Sequence, residues 1–426
     1  MRHILLSLCL VALSLPVSAQ QAREDIKADI QKAGSNYLAY PGPQKSLTAA
    51  PKGYEPYYIS HYGRHGSRWL INGNDYSRPV MALERADSLG KLTPTGKDVL
   101  GKLTLLRDAA QDRWGELTPL GALQHRQIAG RMYDRFPEVF KGVTNIDAKS
   151  TIVIRCILSM ENALQELVGR NPKLRVTHDA SMQDMYYMND EKSPYHQLRK
   201  TAEASEALRV FNNAHTDYAH LARVLFNDAD YVKAIDLNQL GNDIIKQAAN
   251  VQSTELRHEM SLWEIFTEEE IYNYWQRTNA WWYIYYGPSA QTRQRGLKIQ
   301  RNLVRNIIET ADTCVVKNHP GATLRYAHES CVMPLVGLLN LNGYGNTIED
   351  LEQLDDQGWN NYQIYPMGCN VQFVFYKPVK ASPDGADILV KVLLNEDEAT
   401  LPIETDRAPY YHWKDVRTYL TGLLED

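Results

Sequence analysis

The pattern of apolar and polar positions predicts strands towards both ends of the chain. Residues 57–62 predict a strand that ends at a glycine-bearing turn, 63–66. The β-branched run 151–154 predicts a short buried strand. Further strand-like runs lie at residues 323–327, 370–376 and 387–394.

Helical patterns separate these strands. Residues 117–136 have helical spacing, and long helix-like segments dominate from about residue 160 to residue 313. Strands early and late in the chain, with helices between them, predict an α/β sheet interrupted by a helical cap.

One helix start inside the cap is well defined by sequence. Thr267 and Glu270 form a capping box, and Phe266 and Ile271 are placed as a hydrophobic staple. The aromatic run 281–286 on the same segment is expected to pack the cap against the core, with substrate stacking as the alternative.

Composition permits a large core and limits the class of partner. The chain has 426 residues, 44% of them apolar, and a formal net charge of −5. A charge this mild indicates neither nucleic acid nor an anionic membrane surface as a partner. Any positive charge needed for an anionic substrate must therefore be local.

The N-terminus is typical of a signal peptide. Arg2 precedes the apolar run 4–17, and Val17-Ser18-Ala19 matches an A-x-A-like cleavage site. The mature protein is therefore expected outside the cytoplasm, in the periplasm or the extracellular medium. No later segment offers about 20 uninterrupted apolar residues, so no membrane insertion is expected.

The cysteines beyond this leader are dispersed along the chain and form no C-x-x-C pair. Buried free thiols are expected, one or two disulfide bridges are the alternative, and zinc ligation is not expected. The four residues are Cys156, Cys314, Cys331 and Cys369.

The segment that follows the first predicted strand carries the chemistry. Arg64 and Arg68 flank His65 in the sequence Arg-His-Gly-Ser-Arg, at a strand end where α/β sheets place ligands. A phosphate dianion favours permanently charged, bidentate donors, and Gly66 lets the backbone approach closely. Histidine can also act as a covalent nucleophile. The segment therefore predicts a phosphate site.

This segment resembles the R-H-G-x-R signature of the histidine acid phosphatases, a branch of the histidine phosphatase superfamily. Residues 117–124 are similar to the family's L-T-P-x-G-x-x-Q helix, and residues 150–159 to its S-T-x-V-x-R-x-x-x-S segment. Residues 327–330 resemble its His-Asp or His-Ala-Glu site. The resemblance implies a phosphoglycerate-mutase-like, three-layer α/β core with a mainly parallel sheet and an inserted α-helical cap.

The expected organisation has four parts. They are a signal peptide at 1–19, the first part of the core at 20–159, a mainly helical cap at 160–312 and the second part of the core at 313–426. The cap resembles that of the family in being mainly helical, but it shares no sequence motif with it. Substrate choice is expected to depend on the cap.

The resemblance also implies a mechanism without a metal or another cofactor. His65 would attack phosphorus to form a phosphohistidine, and Glu329 would protonate the leaving alkoxide and later assist water. The side chains implied to stabilise the phosphoryl oxygens are Arg64, Arg68, Arg155 and His328. An acidic to neutral pH optimum is expected, because Glu329 must be protonated. The family more often has aspartate at this position, which leaves the reach of Glu329 open.

Two other histidines have structural interpretations. His61 precedes His65 by four residues, but on a strand this spacing does not place two rings as a metal-binding pair. Packing is favoured for His61, and contact with substrate is the alternative. His178-Asp179 imitates the His-Asp motif but follows Arg155 too closely, so a structural or loop role is expected.

The predicted function is an exported phosphomonoesterase that acts on a small anionic phosphate ester. Inositol polyphosphates such as phytate are favoured by resemblance, and a broad-specificity acid phosphatase acting on sugar phosphates or other small esters is the alternative. A non-catalytic phosphate-ligand binding protein and a metalloesterase are rivals from other classes. The sequence predicts no oligomeric state.

Overall fold

The computed structural model describes residues 21–317, 319–380 and 387–425. The expected signal peptide, residues 1–19, lies outside these described residues. Within them, no helix combines the length and the apolar character needed to cross a membrane.

A central sheet organises the fold. Its strands are β1 (Tyr54–Arg64), β2 (Asn145–Ser150), β3 (Arg175–Asp179), β4 (Gly321–Ala327), β5 (Asn370–Pro378), β6 (Leu389–Leu394), β7 (Asp397–Ala399) and β8 (Tyr410–His412). The order is β3-β2-β4-β1-β5-β6-β7, and β8 also pairs with β6. Strands β1, β2, β3, β4 and β6 run in one direction, and β5, β7 and β8 run in the other.

Helices surround the sheet. The α-helices are α1 (Gln21–Ala28), α2 (Asn74–Ser88), α3 (Pro94–Ala110), α4 (Pro119–Arg135), α5 (Ile154–Arg170), α6 (Met185–Met188), α7 (Tyr195–Leu198), α8 (Ala202–Ala214), α9 (Ala219–Leu225), α10 (Ala229–Lys233), α11 (Leu237–Val251), α12 (Glu268–Tyr286), α13 (Arg295–Lys298), α14 (Arg301–Val315), α15 (Glu329–Leu338), α16 (Asn361–Ile364) and α17 (Trp413–Gly422). The 3-10 helices are Ile30–Tyr37, Pro137–Phe140, Glu255–His258, Trp263–Ile265, Ala290–Thr292, Leu341–Gly343 and Leu351–Gln353.

The sheet is buried on both faces, which explains the apolar character of β1. Tyr58 and Tyr62 belong to a core cluster that includes side chains of α14, α15 and α17. Ile59 points to the opposite face, because side chains alternate along a strand, and belongs to a cluster with side chains of α4 and α5. Helices thus cover the sheet on both sides, and the expected α/β fold class is confirmed.

A third core cluster lies outside these three layers and forms a helical lobe. It joins α2 and α3 to α9, α11 and α12, with Trp275 of α12 almost completely buried in it. The N-terminal helix α1 and the 3-10 helix Ile30–Tyr37 also contribute buried side chains. The helical lobe therefore draws on chain before residue 111 as well as on the range expected for the cap, and β3 extends the sheet into that range.

The predicted strand at residues 151–154 is wrong. The strand in this region, β2, ends at Ser150, and Ile154 begins α5. Ile152 and Ile154 are 44% and 68% exposed, so the two isoleucines of this β-branched run are not buried. In β2 the inward positions hold Ile146 and Ala148 between polar residues, a pattern too short and too polar to stand out in the sequence.

The capping box of α12 is present as predicted. The Thr267 hydroxyl accepts from the Glu270 amide, and the Glu270 carboxylate accepts from the Thr267 amide. Phe266 and Ile271 are both buried in the helical lobe. In the aromatic run 281–286, the side chains at 282–284 are buried, in agreement with a packing role.

The four cysteines among the described residues are free thiols. Three of them are buried, namely Cys156, Cys331 and Cys369, and Cys314 is partly exposed. This agrees with the expectation of buried free thiols rather than bridges.

Candidate active site

The loop at residues 64–68 is fixed by the two neighbours of β1. The Arg64 amide donates to the carbonyl of Cys369, just before β5, at 2.8 Å. The His65 amide donates to the carbonyl of Ala327, the last residue of β4, at 2.9 Å. The loop therefore continues from the middle of the sheet, where the backbone on both sides is ordered by strand pairing.

The helix α4 holds the same loop from another side. The Thr118 amide and hydroxyl both donate to the Ser67 carbonyl, and the Gln124 side chain accepts from the Ser67 amide at 2.8 Å. A Cβ added to Gly66 would lie 2.4 Å from the Gly121 oxygen, so the two backbones are in direct contact. The segment resembling L-T-P-x-G-x-x-Q thus forms a rigid support for the 64–68 loop.

His65 is completely buried and has one defined tautomer. Its Nδ1 lies 2.9 Å from the Gly66 carbonyl oxygen, which can only accept, so Nδ1 carries the proton. The other nitrogen, Nε2, is buried and has no hydrogen-bond partner. Burial holds the pKa of His65 well below its usual range, partly opposed by Glu329. The ring is therefore neutral, with a free electron pair on Nε2.

Arg64 and Arg68 are held by backbone carbonyls. Arg64 Nη1 donates to the carbonyls of Asn36 and Tyr365 at 2.7 and 2.9 Å, and Arg68 Nη1 donates to the Trp69 carbonyl at 2.8 Å. Arg64 Nη2 and Arg68 Nε are buried without a hydrogen-bond acceptor. Buried donors without partners are costly, so an anion that accepts from them would be bound strongly.

Arg155 approaches from the first turn of α5. Its Nη1 contacts the Gly115 carbonyl at 3.5 Å, and its Nε is buried without a partner. Burial, followed by the positive charge of Arg68, lowers the pKa of Arg155 from its usual value. Its charge therefore adds to that of the 64–68 loop.

His328 is the last residue before α15. Its ring meets the His65 ring edge to face, with centroids 5.6 Å apart, and its Nε2 lies 3.3 Å from the Thr151 hydroxyl. Burial, followed by the charge of Arg155, lowers the pKa of His328 to about 4. His328 is thus a neutral ring between the His65 side chain and α5.

Glu329 begins α15 and lies close to two guanidinium groups and to the His65 ring. Its Oε2 lies 3.0 Å from Arg64 Nε and 3.6 Å from His65 Nε2, and its Oε1 lies 4.0 Å from Arg68 Nη2. Asn36 Nδ2 also donates to Oε1 at 3.3 Å. Burial alone would raise the pKa of Glu329, but the positive charge of Arg64, with that of Arg68 behind it, holds it well below its ordinary value. The carboxyl group is therefore ionised.

The residues singled out from sequence come together at this one place, at the carboxyl ends of β1 and β4. They are Arg64, His65, Arg68, Arg155, His328 and Glu329. Sequence reasoning missed Asn36 and Tyr365, which no motif marks and which reach the site only through long-range contacts.

The other two histidines lie apart from this cluster. His61 is buried within β1, its ring is 5.2 Å from the Tyr326 ring, and burial lowers its pKa to about 3. His178 is exposed on β3 and bonds Glu161 at 2.7 Å. Both positions agree with structural roles.

The same cluster offers three ligand atoms within 4.8 Å of one another, from His65, His328 and Glu329. A divalent cation there would stand beside Arg64 and Arg68, whose charges repel it. The site's charge therefore favours an anion over a metal ion.

The model of the histidine phosphatase superfamily, branch 2, matches residues 64–395 of this chain. That range is well over half of the chain and includes every site residue singled out from sequence. The chain belongs to this superfamily branch. The predicted family and the predicted enzyme class, a histidine-type phosphatase, are therefore confirmed.

Solved structures of phosphatases share the fold of this histidine phosphatase. A multiple inositol polyphosphate phosphatase from Bifidobacterium longum, in complex with inositol hexasulfate, is 19% identical with a TM-score of 0.77, over 91% of this chain and 97% of that one. The phytase from D. castellii is 15% identical with a TM-score of 0.66, over 97% and 88%. Hafnia alvei phytase is 14% identical with a TM-score of 0.52, over 88% and 98%. No curated protein matches the chain by sequence.

Proposed function

We propose that this histidine phosphatase hydrolyses phosphate monoesters through a phosphohistidine at His65 Nε2, with inositol polyphosphates as substrates. The observation that carries the proposal is the state of His65 Nε2, a buried nitrogen with a free electron pair that lies beside two guanidinium groups. Arg64 Nη2 and Arg68 Nε of these groups have no acceptor among the described residues. A phosphoryl group placed there would accept from Arg64 and Arg68 while its phosphorus faces Nε2. Arg155 and His328 complete the proposed oxyanion contacts.

The reaction has two steps. In the first, the Nε2 electron pair forms a bond to phosphorus, the bond from phosphorus to the ester oxygen breaks, and Glu329 gives its proton to the leaving alkoxide. In the second, water attacks phosphorus, its proton passes to Glu329, and the bond to Nε2 breaks. His65 begins and ends neutral, with its other nitrogen held by the Gly66 carbonyl.

Glu329 must be protonated for the first step, although Arg64 and Arg68 alone favour its ionised form. A bound phosphate ester brings negative charge next to the carboxylate and takes hydrogen bonds from Arg64 and Arg68. Both changes raise the pKa of Glu329 and favour the protonated form. Binding of the substrate thus favours the protonated form of Glu329 that the first step needs.

Two finer parts of the proposal rest on different observations. Inositol polyphosphates are supported by the relative from Bifidobacterium longum, which was solved with inositol hexasulfate bound. A broad-specificity acid phosphatase is the second candidate, because the side chains of the 64–68 loop would contact the phosphoryl group and place no demand on the alcohol. Export is supported by the leader-like pattern of residues 1–19.

The test measures phosphate release from inositol hexakisphosphate and from an aryl phosphate, with chelator, between acidic and neutral pH. We expect release by the wild type and none by His65→Ala, while His178→Ala, which changes an exposed histidine, retains activity. Release from the aryl ester alone would favour the broad-specificity candidate. Release from neither ester would contradict the proposal, and loss of activity in chelator would point to a metalloesterase.

A further inference from the structure

A cavity with cationic side chains in its wall lies next to the candidate active site. It has a volume of about 390 Å³ and lies between the 3-10 helix Ile30–Tyr37 and side chains of α8, α11 and α12. Its volume is within the range of small-molecule sites. Its wall carries two cations, Lys246 and Arg277, and no carboxylate.

Arg277 supplies the net charge of this cavity. Its Nη2 donates to the Tyr218 hydroxyl and to Asn242 Oδ1, both at 2.9 Å, and its Nε donates to the Asn273 carbonyl. Among the described residues, no carboxylate pairs with Arg277, and no protein acceptor contacts its Nη1. Neutral groups therefore orient the guanidinium without neutralising it.

Lys246 contributes less than Arg277 to the net charge of the cavity. Its ammonium group lies 2.7 Å from Asp75 Oδ2, a carboxylate that is itself largely buried. The charges of this pair cancel at a distance. A ligand in the cavity would gain most from Arg277.

Two residues belong to both the cavity and the active site. Asn36 lines the cavity and donates to Glu329, and Tyr37 lines the cavity and lies beneath Arg68, whose guanidinium carbon is 5.6 Å from the ring centroid. The cavity and the active site therefore share a wall that Asn36 and Tyr37 form.

We propose that this cavity binds a second phosphate group of a polyphosphorylated substrate while His65 attacks the first, and that Arg277 determines the preference for such substrates. The inference rests on the proposed function and adds to it a place for the part of the substrate that does not react. Binding energy gained there would be absent for any ester with a single phosphate.

The first test compares kcat/KM for inositol hexakisphosphate and for para-nitrophenyl phosphate in the wild type and in Arg277→Gln. We expect the value for the polyphosphate to fall by about tenfold or more, because a charge-assisted hydrogen bond is lost, and the value for the aryl ester to be unchanged. Arg277→Lys should retain part of the preference. The control is Arg209→Gln, since Arg209 is exposed on α8 and, among the described residues, pairs with Glu206 alone.

The second test needs no turnover. In the His65→Ala background, calorimetry should show that Arg277→Gln weakens binding of inositol hexakisphosphate and leaves binding of inorganic phosphate unchanged. Equal losses for both ligands, or no loss for either, would overturn the subsite. If the wild type releases no phosphate from any ester, the proposed function fails, while the binding comparison still decides the subsite.

Discussion

Arg64 Nε lies 3.0 Å from Glu329 Oε2, so the proposed proton donor is ion-paired with a residue proposed to bind the phosphoryl group. The carboxylate and the substrate therefore compete for the same guanidinium group. This competition couples the protonation of Glu329 to the arrival of an anion, and the coupling can be measured directly.

Anion binding should be accompanied by proton uptake at Glu329. The charge of Arg64 holds the pKa of Glu329 well below its usual value, so at about pH 5 the group is ionised before an anion binds. Inorganic sulfate has no titratable proton there and resembles the phosphoryl group, so its binding should raise this pKa. Calorimetry in two buffers of different ionisation enthalpy should show net uptake in the wild type and less in Glu329→Gln. Equal uptake in the two proteins would contradict the coupling.

The role of Glu329 as an acid predicts a dependence on the leaving group. In Glu329→Gln, kcat for inositol phosphates should fall by about 10²–10⁴, because an alkoxide leaves poorly without a proton. For para-nitrophenyl phosphate, whose leaving group is already stable as an anion, the loss should be much smaller. Steady-state kinetics on both esters measure the difference. A uniform loss would indicate that Glu329 acts on phosphoryl binding rather than on proton transfer.

Buried histidines predict a loss of stability in acid. Burial lowers the pKa of His125 and His328 to about 4 and that of His61 to about 3. Between about pH 6.5 and pH 4 the unfolded chain binds these protons and the folded chain does not, so the free energy of unfolding falls as pH falls. Urea unfolding at several pH values would measure this slope.

The variant His125→Gln measures the contribution of one histidine to the pH dependence of the free energy of unfolding. His125 lies on α4 with its ring against Tyr326, and its nitrogens have no hydrogen-bond partners. Removing its titration should make the free energy of unfolding less dependent on pH, by roughly 2 kcal/mol between neutral pH and about pH 5. An unchanged slope would mean that His125 is protonated in the folded state.

The contact between the 64–68 loop and α4 predicts a steric effect on activity. In Gly121→Ala the new Cβ would lie 2.2 Å from the Ser67 carbonyl oxygen, so the loop must move. We expect kcat/KM to fall by about tenfold or more, since small displacements of reacting groups are costly.

The matched control is Gly101→Ala. Gly101 is a helical glycine in α3 whose Cβ would meet nothing within 4 Å. This change should leave kcat/KM unaltered and raise the free energy of unfolding by about 0.5–1 kcal/mol. If both alanine variants were fully active, the loop would have more freedom than its contact with α4 implies.

The sequence allowed prediction of those parts of the site that lie next to strands with strong apolar patterns. The strand β1 ends at Arg64, next to His65, and β4 ends just before His328 and Glu329. In both places the motif lies where the apolar pattern of the strand ends, so the two signals support each other. Arg155 was singled out by resemblance alone, and it lies in the first turn of a helix rather than at a strand end.

The rest depends on contacts between residues far apart in sequence. The Asn36 carbonyl accepts a hydrogen bond from Arg64. The side-chain amide of Asn361 donates to the hydroxyl of Ser35, whose backbone has a φ of 56°. Ser35 and Asn36 stand in no periodic pattern and in no motif, because their roles come from tertiary packing. Local sequence cannot identify such positions.

The shared packing of the helical lobe limits how this enzyme can be re-engineered. Leu83 and Val99, from α2 and α3, share one core cluster with Leu221, Ile244 and Trp275. A chimera that exchanged only the chain between β3 and β4 would leave the first two without their partners and open cavities around them. The lobe is not a detachable module, so new substrate preferences are expected to arise by substitutions on its surface rather than by its replacement.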